Sequence, residues 1–156
     1  MRITTASIAL LAALFMVTPA APGAAQGKSA ARVIEMTGTD NLRFTPDTIQ
    51  AKPGERLKVV LKTQSALPKI AMAHNFVLPQ PTVDIQKFVT ASASSPKTDY
   101  IAPDFKDQLI AASGLAGNGE TVEVEFNAPK TAGSYTFVCT FPGHFQGGMK
   151  GTLIVK

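Results

Sequence analysis

Three side chains that bind soft metal ions lie close together near the end of the chain. Cys139 ends the stretch SYTFVC, His144 follows after four residues, and Met149 follows after four more. The intervening residues include one proline and three glycines, which let the backbone turn tightly enough for the three side chains to converge. A thiolate, an imidazole and a thioether in one loop therefore indicate a site for a soft metal ion.

The second histidine of the chain, His74, completes this donor set. Two imidazoles and a thiolate in a trigonal plane, with a long bond to a methionine, form the copper site of blue electron-transfer proteins. The chain has two histidines and one cysteine, and His74 lies in MAHNFVL, which we interpret as the start of a strand. The predicted ligands of one type 1 copper ion are therefore His74, Cys139, His144 and Met149.

Residues 1–25 have the pattern of a secretory signal peptide. Arg2 precedes an apolar run over residues 8–17, and small residues follow as far as Ala25. The run is roughly half of the ~20 residues that a membrane-spanning helix needs. We therefore expect cleavage after Ala25, a periplasmic domain over residues 26–156 and no membrane span in the mature form. Retention by an uncleaved N-terminus stays open.

Export makes the single cysteine informative. Thiols in an oxidising compartment usually form disulfides, but Cys139 has no second cysteine in the chain to pair with. A thiolate already bound to copper would account for this.

The charge pattern argues against one class of partner. The net charge is +4 and falls to +3 once Arg2 is removed with residues 1–25, and the basic residues are spread among acidic ones. No basic cluster of the kind that binds nucleic acid is present in the sequence. We therefore expect no nucleic-acid partner.

Short segments rich in Val, Ile, Phe and Thr predict an all-β protein. Residues 121–126 alternate between apolar and polar, which is typical of a strand with one buried face. Between residues 81 and 112, several apolar positions fall nearly on one helical face and a polar run follows. We predict an antiparallel Greek-key β-sandwich with a short helix in a surface insertion that covers one side. The predicted strands are residues 31–36, 56–63, 74–78, 121–127, 134–139 and 151–155.

Two stretches closely resemble the azurin and auracyanin branch of the cupredoxin family. They are LPKIAMAHNFVL (67–78) and YTFVCTFPGHFQGGMKGTLIVK (135–156), and KPGERLKVV (52–60) is similar to an early strand of the family. The resemblance implies three equatorial copper ligands, His74, Cys139 and His144, and an axial ligand, Met149.

The resemblance also implies roles for neighbouring residues. Asn75 is expected to join the His74 segment to the cysteine loop by hydrogen bonds, and the backbone carbonyl of Ala73 to lie near the metal on the other axis. Three departures from azurin stand out: the loop has one more residue between His144 and Met149, no second cysteine exists for the azurin disulfide, and Phe76 replaces a tryptophan.

The resemblance implies a periplasmic one-electron carrier that is not an enzyme and works as a monomer. Its partners would be redox proteins, such as a c-type cytochrome or a periplasmic or membrane oxidoreductase. They would dock on an apolar patch around His144. The residues expected in this patch are Met72, Phe141, Pro142 and Phe145.

Three other interpretations of the same residues stay open. Cys139 could be an enzyme nucleophile with His144 as its base. The site could buffer or deliver copper without a dedicated role in electron transfer. It could also hold structural zinc, although a thioether is a poor zinc ligand.

Overall fold

A computed structural model describes residues 30–156. The predicted signal peptide, residues 1–25, lies outside this range. Within it, no helix has the length and apolar character needed to cross a membrane. The described chain forms nine strands, one α-helix and two 3-10 helices (Pro96–Thr98 and Pro103–Gln108). In chain order the other elements are β1 (Arg32–Thr39), β2 (Arg43–Thr45), β3 (Thr48–Ala51), β4 (Arg56–Gln64), β5 (Val77–Pro79), α1 (Ile85–Ser92), β6 (Leu109–Ala112), β7 (Thr121–Asn127), β8 (Gly133–Val138) and β9 (Lys150–Val155).

The strands form two sheets, which confirms the predicted all-β sandwich. One sheet has the order β2-β1-β4-β7 and the other β3-β9-β8-β5-β6. The pairing is not wholly antiparallel, because β1 pairs with β4, and β3 with β9, in parallel. Parallel neighbours cannot be joined by a tight turn. Here the chain leaves β1, passes through β3 in the second sheet and returns to β4.

The core between the sheets follows from alternation along the strands. In β4, Leu57, Val59 and Leu61 are fully buried while the residues between them are half-buried. Phe76 occupies the centre of the core, with its ring centroid 4.9 Å from that of Phe137 and 6.0 Å from that of Phe126. Rings at these separations add favourable edge and face contacts to the burial of apolar surface.

The insertion contains the predicted helix. The side chain of Asp84 caps α1 by accepting a hydrogen bond of 3.0 Å from the backbone N–H of Lys87. Phe88 and Val89 on its inner face pack in a second apolar cluster with Val77 and Val138. The insertion also ends in an unpredicted strand, β6, which pairs with β5. Its sequence, LIAA, includes two alanines, a residue type with low strand preference.

The strand predicted over residues 74–78 is shorter than expected. Regular pairing begins only at Val77, and His74 forms an isolated bridge with Ala116. The two residues exchange backbone hydrogen bonds of 2.9 Å in both directions. His74 therefore has a fixed backbone although it lies outside a regular strand.

Gly151 in β9 provides a test of the packing around Phe137, its partner on β8. A Cβ at this position would overlap the ring of Phe137 and the backbone carbonyl of Asp47. We expect Gly151→Ala to lower the free energy of unfolding by about 1–3 kcal/mol through overpacking, measured by urea denaturation. Gly114→Ala is the control, because the nearest atom to its Cβ would be 3.6 Å away. Equal stability of the two variants would contradict the described packing.

Candidate metal centre

The hairpin between β8 and β9 holds three of the four predicted ligands. The ladder closes at the pair Val138 and Lys150, and the N–H of Cys139 donates to the carbonyl of Met149 at 3.1 Å. Inside the loop, the N–H of Met149 donates to the carbonyl of His144 at 2.9 Å. These bonds coil the loop so that the side chains of Cys139, His144 and Met149 can face the same interior region.

His74, Cys139 and His144 form a compact triangle of donor atoms. Nδ1 of His74 lies 3.2 Å from Nδ1 of His144, and Sγ of Cys139 lies 3.5 Å from Nδ1 of His144 and 4.0 Å from Nδ1 of His74. Metal–nitrogen bonds of about 2.0 Å and metal–sulfur bonds of about 2.3 Å separate ligand atoms on one ion by about 3–4 Å. One ion can therefore bind all three atoms.

Met149 lies beside this triangle and is fully buried. A Cβ on Gly38 would come within 3.0 Å of Cε of Met149 and 2.7 Å of Cδ2 of His74, so both side chains rest against the bare backbone of Gly38. On the Cys139 side, the carbonyl oxygen of Ala73 lies 3.9 Å from Sγ. Met149 thus shares a contact on Gly38 with His74, and the Ala73 carbonyl lies beside Cys139; their roles as ligands stay predictions.

Burial sets the protonation of the three donors without metal. It lowers the pKa of His74 to about 4, an effect that the charge of Asp40 opposes. Burial, and then the charge of His74, lower the pKa of His144 to about 4. Burial raises the pKa of the Cys139 thiol to about 12. Both imidazoles are therefore neutral at pH 7 and can offer lone pairs to a metal, whereas a metal must displace the thiol proton.

The second ring nitrogen of His74 has no partner among the described residues. Metal-binding histidines generally donate their second ring N–H to a carboxylate, carbonyl or water. Nε2 of His74 is buried, and within residues 30–156 it has no hydrogen-bond partner. The ring is thus held by packing against Gly38 and by the backbone bridge to Ala116.

Asn75 joins three segments around the site, one more than the resemblance implies. Its Nδ2 donates to Oγ1 of Thr140 at 2.8 Å and to the carbonyl of Asp99 at 2.9 Å. Its Oδ1 accepts from the N–H of Thr140 at 2.9 Å. The connection to Thr140 confirms the expected role of Asn75, and the connection to Asp99 adds the insertion.

Tyr100 is a neighbour of the site that the sequence did not identify. Asp99 and Tyr100 both have left-handed backbones, with φ of 53° and 57°, and Asp, Asn and Gly are the residue types that most readily adopt this region. The Tyr100 ring meets Phe141 edge-on at a centroid distance of 5.0 Å, and Phe141 lies 4.7 Å from the ring of His144. A tyrosine in a polar insertion carries no pattern that would reveal this contact.

The residues expected in the apolar patch around His144 differ in their exposure. Phe141 is 8% exposed, and Phe145 packs toward α1. Pro142 is exposed and Met72 half-buried, whereas Ile70 is 89% exposed. Leu67, in the same segment leading to His74, is 44% exposed. Surface leucine and isoleucine residues have no sequence pattern that separates them from core residues.

The lowered histidine pKa values predict that the copper-free protein loses stability in mild acid. Between the unfolded value of 6.5 and the folded value of about 4, the unfolded chain binds more protons, so stability falls as pH decreases through this window. We expect a loss of about 2 kcal/mol for each histidine between pH 7 and pH 5, measured by urea denaturation. Measurements above pH 5 separate this loss from the titration of carboxylates. His144→Gln should reduce the slope, and a flat profile from pH 7 to 5 would contradict the assignment.

Comparisons with known proteins agree with this geometry. Residues 31–156 match the family model of copper-binding proteins of the plastocyanin/azurin family. Azurin from Pseudomonas aeruginosa is 38% identical over 127 residues, which cover 79% of this chain and 84% of that protein. Auracyanin-A from Chloroflexus aurantiacus is 34% identical over 119 residues, covering 75% of this chain and 69% of that protein.

Solved structures agree as well. The structure of auracyanin A, described as a "blue" copper protein from Chloroflexus aurantiacus, aligns with a TM-score of 0.71 and 32% identity, covering 81% of this chain and all of that one (100%). The fold, the buried donor triangle and the family match lead to one conclusion. The chain belongs to the plastocyanin/azurin family of copper-binding proteins and is a blue copper cupredoxin.

Proposed function

We propose that this protein carries single electrons through one type 1 copper ion, with equatorial ligands His74, Cys139 and His144 and the axial ligand Met149. The observation that carries the proposal is the triangle of donor atoms, with sides of 3.2, 3.5 and 4.0 Å, buried at the end of the sandwich. When bound, copper supplies a one-electron couple between Cu(II) and Cu(I).

The surrounding residues keep the donor atoms in nearly the same places whatever the charge of the ion. The backbone of His74 is fixed by its bridge to Ala116, and that of Cys139 by its bond to Met149. Asn75 joins the two ligand segments. A donor set held in this way needs little rearrangement when one electron is gained or lost, which favours fast transfer.

Electrons would enter and leave at the His144 side. His144 lies on the loop between β8 and β9 and is 4% exposed. Pro142 is exposed on the ligand loop, and Ile70 and Leu67 are exposed in the segment that leads to His74, so both ligand segments offer apolar side chains for docking. Partners of this kind would be a c-type cytochrome or a periplasmic or membrane oxidoreductase, with the carrier acting as a monomer.

The sequence pattern of residues 1–25 supports export to the periplasm before the copper domain, residues 26–156, takes up its metal. In that compartment Cys139 would be protected from oxidation by burial and by copper.

The other interpretations fit the site less well. A nucleophilic cysteine needs a lowered pKa, but burial raises the pKa of Cys139 to about 12. A delivery module needs ligands that a partner can reach, but His74 and Cys139 are fully buried. A fully buried methionine beside the site matches copper better than zinc.

A visible spectrum of the copper-loaded protein tests the proposal. We expect an intense blue band from the bond between thiolate and Cu(II), which disappears on reduction and is absent in Cys139→Ser. Circular dichroism of Cys139→Ser establishes that the variant is folded. A colourless Cu(II) complex of the unaltered protein would refute the proposed function.

Replacing the axial ligand tests its separate role. Met149→Leu should keep the blue band, because the three equatorial donors remain, and should raise the reduction potential, because a thioether ligand to Cu(II) is lost. Met36→Leu is the matched control, since Met36 is a core methionine that is 2% exposed. Loss of copper binding in Met149→Leu, or equal potentials in both variants, would show that Met149 is not a weak axial ligand.

A further inference from the structure

The turn between β1 and β2 lies against the second half of the ligand loop. Leu42 in this turn has a left-handed backbone with φ of 56°, an uncommon conformation for a residue other than glycine. A Cβ on Gly147 would overlap Cδ1 of Leu42. The turn therefore occupies the space that a side chain at position 147 would need.

Arg43, the next residue, binds the loop directly. Its Nη1 donates to the carbonyl of Gly147 at 2.8 Å and to the carbonyl of Leu42 at 2.8 Å. The guanidinium group also covers Gly148, where a Cβ would lie 2.6 Å from Nη1 and 3.1 Å from both Cζ and Nη2. One cationic group thus joins the turn to the two glycines that precede Met149.

These glycines belong to the coiled part of the loop that presents Met149. The N–H of Gly147 donates to the carbonyl of Gly143, and that of Gly148 to the carbonyl of Phe145, both at 2.9 Å. Gly148 has φ of 99°, so its conformation is available to few other residues. A pair of glycines beside a ligand has wide backbone freedom, which a contact from outside the loop restricts further. Arg43 provides such a contact, and its charge strengthens the bond to the carbonyl.

The charge of Arg43 could also act on the metal through space. Its side chain is exposed, however, so water and salt screen that effect. The contacts to Gly147 and Gly148 are direct. We therefore assign to Arg43 a structural effect on the loop and not an electrostatic effect on the metal.

We propose that Arg43 is a positioning residue that holds residues 147–149 of the ligand loop and thereby fixes the position of the Met149 thioether. Its consequence for copper rests on the proposed function, in which Met149 is the axial ligand.

Amide hydrogen exchange of the copper-free protein tests the structural part alone. In Arg43→Ala, the N–H groups of Gly147, Gly148 and Met149 should exchange about tenfold faster, as expected when a hydrogen bond from a charged donor is lost. Arg43→Lys should fall between, because its ammonium can reach a carbonyl but cannot cover Gly148. Arg56→Ala is the control. Arg56 begins β4, away from the loop, and its guanidinium group binds the carboxylate of Glu125 in β7 at 2.7 Å.

Spectra of the copper-loaded variants test the consequence for the metal. Arg43→Ala should change the relative intensities of the thiolate-to-copper bands and the rhombic character of the Cu(II) resonance, both of which depend on the axial bond. Arg56→Ala should leave both unchanged. If Arg43→Lys restored the spectra fully without slowing exchange in the loop, charge and not position would be the cause, and the proposal would fail.

The outcomes separate this inference from the proposed function. Exchange rates at Gly147–Met149 within twofold of those of the unaltered protein in Arg43→Ala would overturn the positioning role, whatever the colour of the copper form. A colourless Cu(II) form of the unaltered protein, together with faster exchange in Arg43→Ala, would retain Arg43 as a structural contact. It would overturn only the link between Arg43 and the metal.

Discussion

The site depends on removing three metal-binding side chains from water and pointing them at one another. Burial keeps both imidazoles neutral, with pKa values near 4, and raises the pKa of the thiol to about 12. Without a metal, Nδ1 of His74 and Nδ1 of His144 face each other at 3.2 Å. The surrounding sandwich must hold this arrangement against the preference of each polar group for water. Much of the local structure can be understood as meeting that requirement.

The donors are held by contacts of different kinds. A backbone hydrogen bond to Met149, directly after the last pair of β8 and β9, fixes Cys139, an isolated bridge fixes His74, and the coiled loop fixes His144 and Met149. Asn75 then connects the two ligand segments through Thr140. Because these contacts are mostly to the backbone, the positions of the donors are set by the fold more than by neighbouring side chains.

The sequence predicted the parts of the molecule that have strong patterns. The alternation in β7 and the single cysteine in a glycine-rich loop pointed to the sandwich and to the donor set. Short strands such as β2, and the parallel pairing of β1 with β4, were missed, because periodicity does not reveal which strands become neighbours. The contacts of Tyr100 and Arg43 were missed for a related reason, since they join segments that are distant in sequence.

The pairing of Val138 with Lys150 closes the ligand loop as the end of a hairpin whose two strands continue into the sheet. Because the buried faces of β8 and β9 help to fix their register, a change in the number of residues between these two positions can be accommodated within the loop. The number of residues between His144 and Met149 can thus vary during evolution while the two strands keep their pairing. In such a molecule the properties of the metal can diverge among relatives while the sandwich that carries it stays the same.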